Sequence, residues 1–411
     1  MNEFYVSPEE VEQHVIGLAT FGAYGETGVW RTVYSPEWVE ATRQYKQWCT
    51  EAGLDAIEDA VGNIWGKLPG SEPGSSIVTG SHIDSQKPGG RYDGALGALA
   101  GLIALKLLRS RFGTPKRTLE TIAFCEEESS RFPAANFWGS RAITGRISPS
   151  APHELRGYDG ETIAEAMAEA GYDSLLIPSA RRTDIDTFVE LHIEQGPILE
   201  QQDIPVGIVD AITGIRQSVI TLDGTQNHAG AFPMDLRNDP MSCAGEIISG
   251  VIDTAHRMGR PAVTTVGRMT VSPNSPGVIP GRVEFTIDAR HPDPVQRKLL
   301  YQRQEALMAE VAARRGIHLS SHTTISQDPY SCDPELVTTF EEAASQQNIP
   351  TFRMQSGAAH DAQQMGTIAR TVMLFVRSRD GRSHTPEEYS SPKDIAQAVQ
   401  VLTAGLYKLA Y

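Results

Sequence analysis

Residues 76–93, SIVTGSHIDSQKPGGRYD, limit what this chain can fold into more than any other stretch. Ile77-Val78-Thr79 is short, β-branched and bounded by turn-forming residues, the pattern of a buried parallel strand. His82 and Asp84 then leave the sheet at its carboxyl end, where open α/β sheets place their ligand sites. An imidazole with a carboxylate two residues on suits a metal ligand plus the group that fixes its tautomer. Asp93 follows eleven residues after His82, past Pro88-Gly89-Gly90, so the chain can fold back and let the two side chains meet. A polar loop with a surface histidine and a solvated aspartate reads the same way, and this stretch alone leaves both readings open.

Further strand ends add chemistry. A second buried strand, Leu119–Cys125, runs into Glu126-Glu127-Glu128. Three adjacent carboxylates repel one another unless a cation sits among them. One can then ligate a metal while its neighbour deprotonates a water; a solvated acidic loop is the plainer alternative. A third candidate strand, Thr187–Pro197, carries His192 at the end of its apolar run, and only that place on a strand end distinguishes it from an ordinary core histidine. His384 lies in Gly381–Glu388, after a strand at Thr371–Val376. Three histidines and two carboxylates suit two divalent ions bridged by one aspartate. That donor set favours Zn, Mn, Co or Ni, and no thiolate motif forces zinc.

A chain of 411 residues points to about two domains, and helix–strand alternation makes the class α/β. Helices are expected at 7–20, 35–53, 95–112, 333–347 and 392–409, with a hairpin over 54–68 and helix and surface connection over 146–185. Near residue 210 the texture changes. A strand at 219–222, helix 239–258, strands near 262–271 and 282–290, helix 294–314 and strand 317–325 make a β-α-β-β-α-β unit. The expected division is catalytic domain 1–210, inserted α+β domain 211–327, and catalytic domain again over 328–411.

A net charge of −15 argues against a nucleic-acid surface. Cys49, Cys125, Cys243 and Cys332 form no CxxC pair and fit reduced thiols better than a disulfide framework. Met1-Asn2-Glu3-Phe4 opens no secretory pattern, and the apolar stretch Ala95–Leu108 is too short for a bilayer. A cytoplasmic protein without membrane partners is the expectation.

Six stretches together resemble the hydantoinase/carbamoylase family of dinuclear metal amidohydrolases. They are Gly80–Ser85, Gly89–Gly94, Glu126–Phe132, Glu190–Pro197, Asn227–Gly230 and Ser383–Glu387. The family includes allantoate and ureidoglycolate amidohydrolases, N-carbamoyl-L-amino acid hydrolases and β-ureidopropionases. It is related to aminoacylases and metallo-carboxypeptidases. The resemblance implies a zinc-exopeptidase-like catalytic domain, a mixed sheet flanked by helices, with an inserted lid and dimerisation domain. It implies a homodimer and two divalent metal ions. His82 and His192 would hold one ion, Asp93 would bridge, and Glu128 and His384 would hold the second. Glu127 would be the general base, Asp84 would support His82, and His228 from the partner subunit would stabilise the oxyanion. Gln195, Arg290, Gly357 and Ala358 would bind the substrate, with the Arg290 fork on its carboxylate.

The implied reaction is hydrolysis of a linear amide or ureido C–N bond in a small carboxylate-bearing compound. Three positions depart from the family pattern. Gly277 stands where asparagine is usual, thirteen residues ahead of Arg290, and Ala359 and Ser129 stand where glycine is usual. The rival readings are an aminoacylase or peptidase on the same metal core and a binding protein that has lost catalysis. The second would lack a ligand or the base, and none is missing.

Overall fold

The computed structural model describes residues 3–411; Met1 and Asn2, where the reading of a missing leader begins, lie outside them. The chain divides into two compact units. Among the described residues, the first is 3–210, Cys332–Met354 and His360–Tyr411; the second is Ala211–Ser331 with Gln355–Ala359.

Six helices begin in one way, a serine or aspartate followed by proline: Ser7-Pro8, Ser35-Pro36, Asp239-Pro240, Asp293-Pro294, Asp333-Pro334 and Ser391-Pro392. In each, the first side chain accepts a backbone N–H of the opening turn, as Ser35 does from Trp38 and Asp333 from Glu335 and Leu336. Proline's fixed φ and missing donor cost nothing at that position. The sequence thereby punctuates its own helices.

In the first unit, strands β1 (Asp55–Glu58), β2 (Ile64–Leu68), β3 (Ser76–His82), β4 (Leu119–Phe124), β5 (Ile185–Ile193), β6 (Val206–Ile212) and β7 (Arg370–Val376) belong to one mixed sheet. Its order is β6-β7-β5-β3-β4-β2-β1. Neighbours β7, β5, β3 and β4 run parallel, whereas β6, β2 and β1 pair antiparallel. Every residue of β3 and β4 is buried, as expected of parallel strands covered on both faces. Helix α1 (Ala95–Phe112) packs on β3 and is buried on nearly all sides through Leu105. Each leucine so covered contributes about 2 kcal/mol by area. From β3 the chain steps to β4 on one side, then crosses to β5 on the other. The β3/β5 junction is therefore the topological switch point, where such sheets open a crevice at their carboxyl ends.

Strands at Val206–Ile212 and Thr351–Ser356 were not expected from the sequence. Turn residues bound both, Asp203-Ile204-Pro205 before the first and Asn348-Ile349-Pro350 before the second, but the runs are short and apolar or mixed, so periodicity alone leaves them ambiguous. Segment 146–185 holds only short helices, at Ala151–Glu154 and Ile163–Glu169, and a 3-10 turn at Ser174–Ala180.

The second unit is a helix-backed antiparallel sheet. Gly214–Asp223 lies between Arg282–His291 and His318–Gln327, and helices Pro240–Met258 and Pro294–Arg314 pack together beside it. Its core joins Leu222, Ile247, Phe285 and Leu300. The expected strand near 262–271 is two pieces, Val263–Thr265 and Met269–Ser272, both paired with Arg282–His291. Among the described residues no helix is long and apolar enough to cross a membrane.

Candidate metal centre

The residues singled out in the first unit converge at the carboxyl ends of the parallel strands. His82 ends β3, His192 lies near the end of β5, Glu126–Glu128 follow β4, His384 follows β7, and Asp93 precedes α1. Asp93 stands at the middle. Its Oδ1 is 3.1 Å from His192 Nε2 and 3.5 Å from His82 Nε2, and its Oδ2 is 3.4 Å from His384 Nε2. Glu128 lies 3.5 Å from His384 Nε2. Ligand atoms of His82, Asp93 and His192 fall within 4.8 Å of one another, as do those of Asp93, Glu128 and His384, and those of His82, Glu127 and Glu128.

The two buried imidazoles are oriented from behind. His82 Nδ1 lies 3.2 Å from both the Asp84 carbonyl and its carboxylate, and His192 Nδ1 lies 3.0 Å from the Ile193 carbonyl. With Nδ1 so engaged as donor, Nε2 carries the lone pair on each ring; both Nε2 atoms face Asp93, and that of His192 also accepts the Gly94 N–H (3.1 Å). The Asp84 carboxylate also accepts the backbone N–H groups of Glu127 (3.1 Å) and Glu128 (3.2 Å), tying the glutamate loop to His82.

The electrostatics fit two cations. Burial pushes the Glu127 carboxyl up, and burial with the neighbouring Asp93 pushes Glu128 up to about 7. Burial and Asp84 likewise raise Glu126, neither of whose buried carboxylate oxygens has a partner. Asp93 is held low despite burial because imidazoles surround it, and half-exposed His384 is raised to about 9 because Asp93 and Glu128 outweigh its own burial. So many carboxylates in one dry place lack positive charge. Three imidazoles and Glu128 around the central Asp93 carboxylate are a set that two divalent ions would satisfy.

Gln195 sits at the edge of this cluster, at φ 58°, and its amide donates to Asp93 Oδ2 (2.9 Å) and Ser383 Oγ (3.2 Å). Its buried Oε1 has no partner. Sequence reasoning passed over Glu388, Ser383, Glu190 and His360. Glu388 is buried, with its carboxyl raised to about 8 by burial and Asp93, and it accepts the backbone N–H of Asp93. His360 is buried against the His192 ring, centroids 4.7 Å apart, and burial keeps it neutral. Glu190 is already engaged by Ser81 Oγ (2.7 Å) and the Ala362 N–H (2.8 Å), which makes it a support rather than a ready ligand. Glu190 and Ser383 stand inside stretches quoted for the family resemblance, Glu388 directly after one and His360 directly after Ala359, but nothing in their spacing separates them from loop residues.

The second unit carries the other expected site residues. His228 is exposed, and its Nδ1 accepts N–H groups from Gly230 (3.1 Å) and Ala231 (3.0 Å). In the neutral ring the proton is therefore on Nε2, leaving a donor facing outward. Gly277 accepts the Ala229 N–H beside it (3.0 Å), and a side chain there would meet open space. Arg290 is gripped on two nitrogens by Asp288 (2.7 and 3.0 Å) and donates a third N–H to the Gly357 carbonyl (3.0 Å). Ala358 turns on the Ser356 hydroxyl through its own N–H (3.1 Å).

Residues 78–408 match the peptidase family M20/M25/M40. The chain belongs to that family. Within it, allantoate amidohydrolase of Bacillus subtilis (strain 168) is 40% identical over 402 residues, covering 98% of this chain and 97% of that protein. N-carbamoyl-L-amino acid amidohydrolase of Geobacillus stearothermophilus is 37% identical over 408 residues, covering 98% and 99%. Among solved structures, a hydantoinase/carbamoylase family amidase from Burkholderia multivorans superposes with a TM-score of 0.92 at 32% identity, over 99% of this chain and 98% of that one. This M20 chain thus stands with the hydantoinase/carbamoylase amidases, as its motifs implied. It is an enzyme, a hydrolase of carbon–nitrogen bonds other than peptide bonds.

Proposed function

We propose that this enzyme hydrolyses a ureido or amide C–N bond in a small carboxylate-bearing compound of the N-carbamoyl amino acid, allantoate or ureidoglycolate type. The observation that carries the reading is the single Asp93 carboxylate, shared between His82 and His192 on one oxygen and His384 on the other, with Glu127 beside His82 and Glu128. His82, Asp93 and His192 would hold one divalent ion, and Asp93, Glu128 and His384 a second, zinc or manganese by donor type. The chemistry such ions supply when bound is Lewis acidity, which acidifies water and polarises a carbonyl.

Glu127 takes the proton of the attacking water and returns it to the leaving nitrogen. Its raised pKa, caused first by burial, moves it from a spent carboxylate toward a working base. His228 presents Nε2–H to the oxyanion, and its backbone-held Nδ1 fixes that tautomer. Within the homodimer proposed here, the partner subunit supplies that histidine. Gln195 Oε1 is free to accept a ureido N–H. Arg290, pre-aligned by Asp288, meets the substrate carboxylate beside the Gly357-Ala358 backbone. Gly277, next to the His228 strand, leaves room where an amide would otherwise contact substrate.

A panel of N-carbamoyl amino acids, allantoate and ureidoglycolate against N-acetyl amino acids tests the reading, with ammonia measured. Ammonia from a ureido compound supports it. Cleavage of N-acyl substrates alone would move the enzyme to the aminoacylase reading.

A further inference from the structure

Glu388 closes a ring of polar contacts around Asp93. Its Oε1 accepts the backbone N–H groups of Tyr92 (3.0 Å) and Asp93 (2.9 Å). Its Oε2 lies 3.0 Å from Ser383 Oγ, which lies 2.7 Å from Asp93 Oδ2. Both the backbone and the side chain of Asp93 are thus referred to one carboxylate, itself only 3% exposed. The fit is close enough to dictate a neighbour: a Cβ on Gly90 would fall 2.2 Å from Glu388 Oε1. Ser383 directly precedes His384, so the ring also joins the loop of Asp93 to the loop of His384.

We propose that Glu388 is a positioning residue that sets the plane of the Asp93 carboxylate, so that one oxygen serves each half of a dinuclear site. The inference rests on the dinuclear reading given above. The two halves depend on Glu388 unequally. On the Oδ1 side, His82 and His192 are buried and are oriented by Asp84 and the Ile193 carbonyl. On the Oδ2 side, His384 is half-exposed; Gln86 holds Glu128 Oε2 (2.6 Å) and Gln195 donates to Asp93 Oδ2 (2.9 Å), while Ser383 with Glu388 ties the Asp93 carboxylate and backbone to the loop of His384. Removing Glu388 therefore weakens the Asp93–Glu128–His384 half and spares the other.

The test titrates metal-free wild type, Glu388→Ala, Glu388→Gln and Ser383→Ala with Mn2+ alone, and records the thermal melting of each metal-free form. Wild type takes up two ions. Glu388→Ala keeps one and binds the second about 10–100-fold more weakly, the usual effect of losing a partner that orients ligands. Glu388→Gln restores the second ion, because its amide oxygen can accept the same two N–H groups while its NH2 donates to Ser383. Ser383→Ala leaves the backbone clasp intact and weakens the same ion, which decides the matter should Glu388→Ala not fold. Equal weakening of both ions, no rescue by glutamine, or wild-type binding in Ser383→Ala would overturn the proposal. Wild type that binds fewer than two ions would instead bring down the dinuclear reading, and this inference with it.

Discussion

Gly94 sits at φ +62° directly against His82: a Cβ there would fall 2.2 Å from the imidazole Nε2. The residue that precedes α1 and follows Asp93 must therefore be glycine on two counts, conformation and space. Gly94→Ala is expected to lower the melting temperature, since left-handed backbone costs a residue with a side chain about 1–2 kcal/mol. It is also expected to push the His82 ring aside and weaken metal binding. A metal titration beside a thermal melt reads both; a variant that binds ions as wild type does would contradict the close packing described.

Glu127→Gln keeps the shape of the side chain and removes its basicity. Turnover should fall by about two to four orders of magnitude, the range for loss of a general base, with metal content unchanged. Wild-type turnover would remove Glu127 from that role.

The site was readable in the sequence to the extent that strand ends announce themselves. β3 and β4 are short apolar runs that run into ligand-type residues, His82 and the Glu126–Glu128 triplet, while His384 lies in the polar loop that follows β7, so all were visible as separate points. Their meeting at Asp93 depends on sheet order, in which β5 lies beside β3 although β4 intervenes in the chain. That order has no local signature. Glu388 and Ser383 stayed hidden for a related reason: what distinguishes them is contact with the backbone of residues 92 and 93, nearly the whole chain away. Strand β6 was missed because its partner, β7, is also remote in sequence.

Arg290→Lys should raise KM more than it lowers kcat. Lysine cannot hold the two-point grip on Asp288, reach the Gly357 carbonyl and offer a planar fork at once. A substrate analogue lacking the carboxylate should be handled alike by the two proteins, and a kcat effect with KM unchanged would argue against carboxylate recognition here.

Asp186 provides a pH test away from the site. Burial alone would raise its pKa, but Arg117, Thr187 and Arg370 outweigh that and hold it at about 2. A depressed carboxyl contributes stability that is fully present above its unfolded pKa near ~4 and lost as pH falls through its folded value. In urea titrations of the metal-free protein, the gap between wild type and Asp186→Asn should be constant above about pH 4 and close toward about pH 2. A gap that widens in acid would reverse the assignment.

The central claim is that catalysis depends on two ions gathered around Asp93. The most direct measurement strips the enzyme of metal, returns Mn2+ or Zn2+ in steps, and follows ammonia release from the best ureido substrate as a function of ions bound per chain. The account predicts no ammonia from the metal-free enzyme, and activity that rises as the site fills to two ions. Full activity without metal, or a chain that binds none, would contradict it.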